Sequence, residues 1–261
     1  MCATCGCDSQ ASTTIRMPGE AQDHNHSHEP THDHSHGHSH GKTIVEVEKD
    51  VLHENNLLAQ RNRGYFDAKN ILALNLVSSP GSGKTSLLER TLTDCKNEML
   101  FYVIEGDQQT TRDADRIHAT GTKVAQINTG KGCHLDAHMI LHALQGMKPQ
   151  ENSVFFIENV GNLVCPAMFD LGEKERVVII SVTEGDDKPI KYPDMFHSSQ
   201  LCIINKIDLL PYVPFSVEKA KEYARQVNPN LEFIEVSCTS GEGLDRWYQW
   251  LKDRVTIPVT Q

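Results

Sequence analysis

Hydrophobic and polar positions divide the chain into three parts. Residues 1–41 contain almost no apolar side chains, and such a segment buries too little surface to offset its loss of conformational entropy, so we expect it to be disordered. Residues 42–66 carry apolar positions at a helical period and predict an N-terminal helical extension. In residues 67–261 short apolar runs alternate with polar, helix-forming stretches, a pattern typical of one α/β domain.

The predicted helical extension is amphipathic. Val47, Val51, Leu52 and Leu58 fall near one face of the helix, whereas charged residues lie around the rest of it. We expect the apolar face to pack against the edge of the α/β domain, since core packing is a commoner role for such a face than binding a partner.

Seven apolar runs in the α/β domain predict buried strands, because a strand covered on both faces carries an almost continuous hydrophobic sequence. Helices are predicted between the strands, and the closing helix carries Leu244, Trp247, Trp250 and Leu251 on its apolar face. The predicted fold class is α/β, with a mostly parallel sheet of about seven strands flanked by helices. The predicted strands lie within residues 71–77, 99–104, 124–127, 153–161, 176–183, 201–204 and 231–236.

Composition and charge exclude several classes of protein. The net charge of -10 argues against nucleic-acid binding, because a phosphate backbone requires a basic surface. The chain has no run of about eighteen apolar residues and does not begin with a basic region followed by an apolar core, so we expect neither membrane insertion nor secretion. The eight cysteines are then expected in a reducing compartment, the cytoplasm, where metal binding or burial is commoner than disulfides.

The first predicted strand ends in the sequence SSPGSGKTS, residues 78–86, and a predicted helix follows. A strand, a glycine-rich loop and a helix in this order favour a phosphate-binding loop, whose backbone N–H groups and helix end surround a phosphate. Lys84 would reach the β- and γ-phosphates, and the Thr85 hydroxyl would hold Mg²⁺. The predicted nucleotide-binding residues of this loop are Gly81, Ser82, Gly83, Lys84, Thr85 and Ser86.

Ser78 stands where the general pattern of this loop has its first glycine. The alternative interpretation is a Gly/Ser-rich turn without a ligand, which the flanking strand and helix disfavour. We therefore predict a P-loop NTPase fold that binds a nucleoside triphosphate.

Two further strand ends carry carboxylates suited to magnesium binding and catalysis. Asp107 follows the second predicted strand, and Glu158 lies toward the end of the fourth. Such carboxylates reach a bound Mg²⁺ directly or through water. Glu158 could hold a metal-bound water, and the N–H of Gly161 could sense the γ-phosphate. Lys84, Asp107 and Glu158 are the predicted catalytic residues, with helix capping as the alternative role of Asp107.

The sequence Asn205-Lys206-Ile207-Asp208, at the end of the sixth predicted strand, favours guanine. An aspartate accepts hydrogen bonds from both N1–H and the 2-amino group of guanine, whereas adenine lacks this pair of donors. The Lys206 side chain would lie over the base, and the Asn205 side chain would hold the loop. Small residues after the last strand, Ser237 among them, would let backbone groups approach the guanine O6. The alternative is an ordinary strand-to-helix turn.

Cys133 and His134 follow a glycine-containing turn and offer two metal ligands from one backbone segment. Two ligands seldom hold an ion alone, so a complete site needs another segment or a second subunit. Cys165 is the natural third ligand, since it also follows a strand end. The alternative is a buried cysteine beside a helix-capping histidine. His138 and His142 recur at helical spacing and lie either at the periphery of this site or on a solvated face.

The N-terminal segment carries a second set of candidate metal ligands. Imidazole and thiolate bind Ni²⁺, Zn²⁺ and copper ions, and closely spaced histidines predict a flexible buffer for several ions rather than one fixed geometry. The alternatives are an expression tag or solvated linker for the histidines and incidental terminal thiols for the cysteines. The candidate ligands are Cys2, Cys5, Cys7, His24, His26, His28, His32, His34, His36, His38 and His40.

With these motifs in order, the chain resembles the hydrogenase-maturation nickel GTPase family, HypB. Several motifs in one order are far more specific than any single motif, and they cover residues 43–255 densely. Ser78 is not a departure from the pattern of this family. Besides the His-rich tract, the matching segments are CATCGC, SSPGSGKTS, EGDQQTTRDADRI, GKGCHLDAHM, FFIENVGNLVCP, VTEGDDKPIKYP and NKIDLLP.

The resemblance implies a GTPase that binds GTP or GDP with Mg²⁺ and loads nickel into the precursor of the [NiFe]-hydrogenase large subunit. It implies a small zinc-bearing partner, the HypA-type accessory protein, and a homodimer whose formation is linked to GTP. It also implies that Cys133, His134 and Cys165 bind metal, Ni²⁺ or Zn²⁺, at the dimer interface.

Three other classes of function remain as alternatives. An ATP-dependent metallochaperone is disfavoured by the sequence Asn205-Lys206-Ile207-Asp208. A nickel or zinc storage protein would explain the N-terminal segment but would leave Lys84 and Asp208 without a role. A urease-type nickel GTPase shares the chemistry but requires different motifs around the metal ligands.

The order of the motifs suggests a coupling hypothesis. GTP and Mg²⁺ would order the segments after Asp107 and Glu158, and these segments continue to Cys133 and Cys165. One equilibrium would then control both the phosphate contacts and the geometry of the metal ligands.

Overall fold

The computed structural model describes residues 14–17, 44–108, 111–130 and 132–255. The predicted metal ligands of the N-terminal segment, from Cys2 to Cys7 and from His24 to His40, lie outside the described residues.

Strands and helices alternate along the described chain, and α1 extends beyond its predicted end at residue 66. Within the described ranges, no helix combines the length and apolarity needed to cross a membrane. The strands are β1 (Thr14–Arg16), β2 (Leu72–Ser78), β3 (Phe101–Asp107), β4 (Lys123–Asn128), β5 (Val154–Glu158), β6 (Glu175–Ser181), β7 (Leu201–Asn205) and β8 (Glu232–Glu235). The helices are α1 (Ile44–Ala68), α2 (Lys84–Asp94), α3 (Arg112–Ala119), α4 (Ala137–Met147), α5 (Lys188–Lys191), α6 (Pro193–His197), α7 (Val217–Val227) and α8 (Leu244–Arg254), with 3₁₀ turns at Cys165–Met168 and Ile207–Tyr212.

The eight strands of the described chain form one sheet in the order β1-β4-β3-β5-β2-β6-β7-β8. All neighbouring strands are parallel except β1, which pairs antiparallel with β4 at one edge. The predicted α/β class with a mostly parallel sheet is confirmed, and each predicted apolar run corresponds to one of the strands β2 to β8.

Strand β1 corrects the prediction for the N-terminal segment. Residues 14–16 pair with residues 126–128 of β4, so for these three residues the disorder predicted across 1–41 is wrong. Ile15 packs against the buried cluster that includes Ile127, and the edge of β4 supplies main-chain partners. Three residues with a single apolar side chain produce no periodic signal, so the hydrophobic pattern could not reveal this strand.

Every residue of β2 is buried, because helices cover both faces of the sheet. Leu72, Leu74 and Leu76 point to one face, where they pack with residues of α2, α3 and α8. Ala73 points to the opposite face and packs with residues of α1 and α4. The strand that leads into the phosphate loop is therefore held from both sides.

Helix α1 uses a polar contact where an apolar one was expected. Val51, predicted to face the domain, is 47% exposed. Asn62 is fully buried instead, and its Nδ2 donates to the carbonyl oxygens of Ala137 and Leu171 at 2.8 and 3.1 Å. The helix packs on backbone carbonyls that need donors, and an asparagine supplies donors that valine or leucine cannot.

The loops that follow β2, β3, β5 and β7 meet at one edge of the sheet, since these strands are parallel. The strand order reverses at β2: β5, β3 and β4 lie on one side, and β6, β7 and β8 lie on the other. Open α/β sheets bind ligands at such a switch point, outside the carboxyl ends of the strands. The fold thus places the phosphate loop where a ligand site is expected.

We expect Trp247→Ala to destabilise the fold by about 3–5 kcal/mol, since it removes a fully buried aromatic side chain and leaves a cavity. It also removes the hydrogen bond of 2.9 Å from Trp247 Nε1 to Thr91 Oγ1. Denaturant unfolding measures the loss. Tyr212→Ala is the control, because Tyr212 is 82% exposed and should change stability by only about 0.5 kcal/mol. Equal effects of the two substitutions would contradict the described core.

Candidate functional site

An open cleft of about 400 Å³ lies at the carboxyl edge of the sheet, beside the ends of β2, β3 and β5. Predicted nucleotide, magnesium and catalytic residues from three separate strand ends line this cleft. They are Gly81, Gly83, Lys84, Thr85, Ser86, Asp107 and Glu158.

The phosphate loop depends on glycine at a position that no other residue fits. Gly83 has a φ of 98°, in the left-handed region, and a β-carbon there would collide with the side chain of Asn205. Ser82, also a predicted ligand residue, turns its side chain away: its Oγ lies 2.9 Å from the carbonyl oxygen of Ser79 and 2.5 Å from Glu184 Oε1. Any contact of Ser82 with a phosphate is therefore left to its backbone.

Lys84 is buried in the lining of the cleft, and its Nζ donates to Ser78 Oγ at 2.9 Å. Ser78, at the first-glycine position of the general pattern, thus supplies a side-chain acceptor that glycine would lack. Burial lowers the pKa of Lys84, and the charge of Glu158 opposes that shift. The loop therefore holds its lysine through the hydroxyl of a serine.

Two glutamates face each other across the ladder between β3 and β5, where Glu105 pairs with Glu158. Glu158 Oε1 accepts a hydrogen bond of 2.7 Å from Thr85 Oγ1. The Oε2 atoms of Glu105 and Glu158 are buried and have no hydrogen-bond partner among the described residues. Carboxylate oxygens without donors beside a threonine hydroxyl fit a hard divalent cation such as Mg²⁺.

Burial makes both glutamates weak acids. It raises the pKa of Glu105 to about 9, and it raises the pKa of Glu158, where the charge of Lys84 opposes the shift. Sequence analysis missed Glu105 because it lies within an apolar strand, two positions before Asp107. An acidic residue is rarely buried without a partner, but the sequence shows neither the burial of Glu105 nor its lack of a partner.

Asp107 ends β3 and does not cap a helix. Its Oδ1 accepts a hydrogen bond of 2.7 Å from the backbone N–H of Gln108. Helix α3 begins at Arg112, with Thr111 as its N-cap residue. The alternative role predicted for Asp107 is therefore wrong, and its side chain belongs to the lining of the cleft.

Asp113 and Arg116 of α3 also line the cleft, and sequence analysis did not single them out. Arg116 donates to Glu89 at 2.6 Å, to Asp113 at 3.1 Å and to Ser86 at 3.3 Å. These bonds join α3 to the start of α2 beside the phosphate loop. A short charged helix is usually a solvated surface, so the sequence pattern offered no specific signal for this role.

The predicted guanine-recognition residues lie against the phosphate loop. Asn205 Nδ2 donates to the carbonyl oxygen of Ser82 at 2.9 Å, and Lys206 Nζ donates to that of Gly81 at 2.7 Å. Asp208 Oδ1 is buried and has no hydrogen-bond partner in the described part of the chain. A buried carboxylate oxygen without a donor fits a ligand that supplies N–H groups, as guanine does.

Ser237 shapes the neighbouring turn after β8. It is fully buried, its Oγ accepts from the N–H of Ser240 at 3.0 Å, and its own N–H donates to the carbonyl oxygen of Glu242. Cys238 Sγ lies 3.4 Å from Asn205 Oδ1, and burial raises the pKa of this thiol to about 11. The turn is thereby fixed to the loop after β7, which carries the predicted guanine-recognition residues.

Cys133, His134 and Cys165 form a three-residue cluster of potential metal ligands. One ligand atom from each residue lies within 4.8 Å of those of the other two. His134 and Cys165 are buried and Cys133 is half-buried. Thiolate and imidazole suit Ni²⁺ and Zn²⁺, and three ligands leave at least one coordination position open.

The surroundings of His134 favour a ligand over a capping residue. Its ring stacks on Phe169 with 3.9 Å between centroids. Helix α4 is capped by Asp136, whose Oδ1 accepts from the N–H of Met139 at 2.8 Å, so the alternative of a helix-capping histidine is wrong. Burial lowers the pKa of His134, which favours the neutral imidazole that binds metals.

His138 and His142 face each other on α4, with their Nε2 atoms 3.0 Å apart. His138 is exposed and His142 is half-buried. They do not belong to the described cluster of three ligands.

Comparison with known proteins relates this geometry to one group. Residues 72–235 match the family described as CobW/HypB/UreG, nucleotide-binding domain. The chain is 59% identical to the hydrogenase maturation factor HypB of Escherichia coli (strain K12) over 211 residues, which cover 81% of this chain and 73% of that protein. The phosphate loop and the three clustered ligands all lie within the matched range.

Solved structures show the same relationship. The structure of hydrogenase maturation factor HypB from Archaeoglobus fulgidus is similar with 42% identity and a TM-score of 0.73, covering 78% of this chain and 100% of that one. The structure of HypB from Helicobacter pylori in complex with nickel is similar with 38% identity and a TM-score of 0.73, covering 77% of this chain and 94% of that one.

We expect Glu105→Gln to change the pH dependence of stability of the nucleotide-free, EDTA-treated protein. The folded state keeps the Glu105 proton up to a pKa of about 9, whereas the unfolded chain releases it near 4.5. The folded state therefore binds more protons between these values, and its free energy of unfolding falls as the pH rises. Glutamine removes this dependence, so the variant should gain up to about 4 kcal/mol over the wild type between pH 5 and pH 8.

Denaturant unfolding at both pH values measures this gain. Glu222→Gln, at an exposed position of α7, is the matched control. Its free energy of unfolding should differ from that of the wild type by the same amount at pH 5 and at pH 8. If the difference between Glu105→Gln and the wild type were also independent of pH, the carboxyl group of Glu105 would not be buried in its protonated form.

Proposed function

This chain belongs to the HypB family of hydrogenase maturation factors, and from that premise we propose that it is a GTP-hydrolysing metallochaperone. Its cargo would be nickel, delivered in the cytoplasm to the precursor of a [NiFe]-hydrogenase large subunit. The observation that carries the proposal is that Cys133, His134 and Cys165 converge within 4.8 Å on the loops after β4 and β5, at the same edge of the sheet as the nucleotide cleft.

Selection of guanine rests on the loop after β7. Asp208 Oδ1, buried and without a partner among the described residues, would accept from N1–H and the 2-amino group of the base. Asn205 and Lys206, already bonded to the phosphate loop, would keep the base and phosphate sites at a fixed separation. Because adenine offers no matching donors, an adenine nucleotide would leave the carboxylate unsatisfied.

Hydrolysis of GTP would depend on charge placed around the transferred phosphoryl group. The backbone N–H groups of Gly81 to Gly83 and the Nζ of Lys84 would bind the phosphates. Thr85, Asp107 and Glu158 would hold Mg²⁺, which neutralises charge on the β- and γ-phosphate oxygens. Glu158 would also orient the attacking water. A phosphate at this site would draw the ammonium group of Lys84 away from Ser78.

The metal site would be completed by a second copy of the chain. Three ligands from one protomer leave a coordination position that an equivalent segment of a partner can fill. The nickel-bound structure of a relative supports nickel as the ion, and zinc suits the same ligands. Dimerisation linked to GTP would then join two copies of the cluster, and a HypA-type accessory protein would exchange metal with it.

A storage protein remains the second candidate, favoured by the many histidines and cysteines of residues 1–41. In that case metal would bind through this segment, and GTP turnover would not respond to it. A urease-type nickel GTPase is the third candidate, and deletion of the gene would then abolish urease rather than hydrogenase activity.

We expect Asp208→Asn to weaken GTP binding by about 10- to 100-fold, because it removes a charged acceptor worth about 1.5–3 kcal/mol. Binding of xanthosine triphosphate should improve, since the asparagine N–H groups can donate to the additional xanthine carbonyl. Calorimetric titration with both nucleotides measures the change. Asp253→Asn, on the exposed surface of α8, should bind GTP like the wild type. An unchanged preference in Asp208→Asn would refute this base-recognition role.

We expect Cys133→Ala to abolish the response of the protein to nickel. In the wild type, Ni²⁺ should change GTP turnover or dimerisation, because metal ligands and nucleotide share one structural equilibrium. In the variant, GTP turnover and dimerisation should be the same with and without Ni²⁺, and the thiolate-to-nickel absorption band should weaken. Cys238→Ser, which alters a thiol outside the cluster, is the control. A wild type that binds nickel with no change in turnover or dimerisation would favour the storage function.

A further inference from the structure

The segment after β5 lies between the nucleotide cleft and the metal-ligand cluster, and two asparagines in it contact both ligand-bearing loops. We propose that Asn159 and Asn162 are positioning residues that pass the state of the nucleotide site to Cys133, His134 and Cys165. This inference rests on the proposed function, since it assigns the residues that would couple nucleotide binding to metal binding.

Asn159 connects the cleft to the residue that follows His134. It is 1% exposed and lines the nucleotide cleft. Its Oδ1 accepts from the N–H of Leu135 at 3.2 Å and from the N–H of Val160 at 3.0 Å, while its Nδ2 donates to Asn75 Oδ1 at 3.3 Å. The side-chain amide thus fixes the backbone next to His134 against β2 and β5.

Asn162 connects the two loops that carry the cysteines. Its Nδ2 donates to the carbonyl oxygen of Cys133 at 3.5 Å, and its Oδ1 accepts from the N–H of Val164 at 2.8 Å. Val164 directly precedes Cys165. One side chain therefore contacts the backbone of Cys133 and the backbone just before Cys165.

The start of this segment, next to the nucleotide cleft, is bonded to β2 and to the start of α2 and lies close to the phosphate loop. Glu158 accepts from Thr85, and the N–H of Asn159 donates to the carbonyl oxygen of Leu76 at 3.0 Å. A β-carbon on Gly161 would lie 3.2 Å from Pro80, so the two loops approach closely at this point. A movement of Glu158 or Gly161 toward a phosphate would therefore displace the asparagines beside them.

A buried network of hydrogen bonds fixes the backbone that follows the Cys165 loop. Asn75 donates to Glu173 Oε1 at 3.0 Å, and the buried guanidinium of Arg176 donates to the same carboxylate oxygen. Arg176 also donates to the carbonyl oxygen of Phe169, the residue that stacks on His134. With this side fixed, a displacement through Asn159 changes the relative positions of the ligands instead of moving the whole cluster.

The test measures metal affinity in two nucleotide states. Co²⁺ is titrated into the full chain carrying Cys2→Ser, Cys5→Ser and Cys7→Ser, so that the thiolate-to-metal absorption band reports the cluster. The titration is repeated with Mg²⁺ and GDP and with Mg²⁺ and a non-hydrolysable GTP analogue. In this background the two apparent dissociation constants should differ by about fivefold or more, a typical size for coupled sites.

Asn162→Ala and Asn159→Ser in this background should bring that ratio close to one. Asn162 does not line the nucleotide cleft, so in Asn162→Ala the affinity for the GTP analogue without added Co²⁺ should stay within about twofold. Asn228→Ala is the matched control, since its amide donates to the carbonyl oxygens of Phe196 and Ser199. This control loses comparable hydrogen bonds at the end of α7, so it shows whether a general loss of stability is enough to change the metal affinity. The ratio of its two apparent dissociation constants for Co²⁺ should remain that of the parent chain.

The outcomes separate this inference from the proposed function. A parent chain whose metal affinity ignores the nucleotide overturns nucleotide-linked metal handling itself. A parent chain that couples the two, with the ratio retained in Asn162→Ala, overturns the role of the asparagines alone. Asn162 is half-buried, so this variant decides the question even where Asn159→Ser does not fold.

Discussion

Burial of ionisable groups at the carboxyl ends of the central strands is the constraint on which the rest of the structure depends. Lys84, Glu105 and Glu158 are all nearly excluded from solvent, and isolated buried charges are strongly unfavourable. The protein manages this with local partners: Ser78 holds Lys84, and Thr85 holds Glu158. Glu105 Oε2 and Glu158 Oε2 are left without hydrogen-bond partners among the described residues, an arrangement that a phosphate and a divalent cation would complete.

This constraint explains why the surrounding loops are so closely fixed. Buried polar groups tolerate little displacement, because each lost hydrogen bond exposes a group that water cannot reach. Asn205 and Lys206 therefore hold the phosphate loop from one side, and the segment after Glu158 holds it from the other. Cys165 of the metal-ligand cluster lies on this segment after Glu158, and Cys133 and His134 lie on the neighbouring loop after β4. The geometry of the cluster is consequently determined by the same edge of the sheet that determines the phosphate site.

Residues with a distinctive local chemistry could be predicted from the sequence. The glycine loop, Asp107, Asp208 and the Cys133 cluster each combine a rare residue pattern with a strand end, and the structure brings them to one edge. Strand β1 and Glu105 could not be predicted in this way. Strand β1 is defined by its pairing with a distant strand. Glu105 is a weak acid because it is buried opposite another glutamate. Both depend on tertiary neighbours that a local pattern does not contain.

The chemistry of the connection between the two sites follows from the same electrostatic constraint. A charged residue at Asn159 would add to the buried charges of Lys84 and Glu158, and its ionisation would change with every ligand bound nearby. An amide donates and accepts at once without altering the local charge. It can therefore transmit a displacement from the phosphate site while leaving the electrostatics of both sites to their own ligands. Neutral side chains therefore suit the proposed link between the phosphate site, which would bind an anion, and the metal-ligand cluster, which would bind a cation. A charge on the link would weaken binding at one of these two sites.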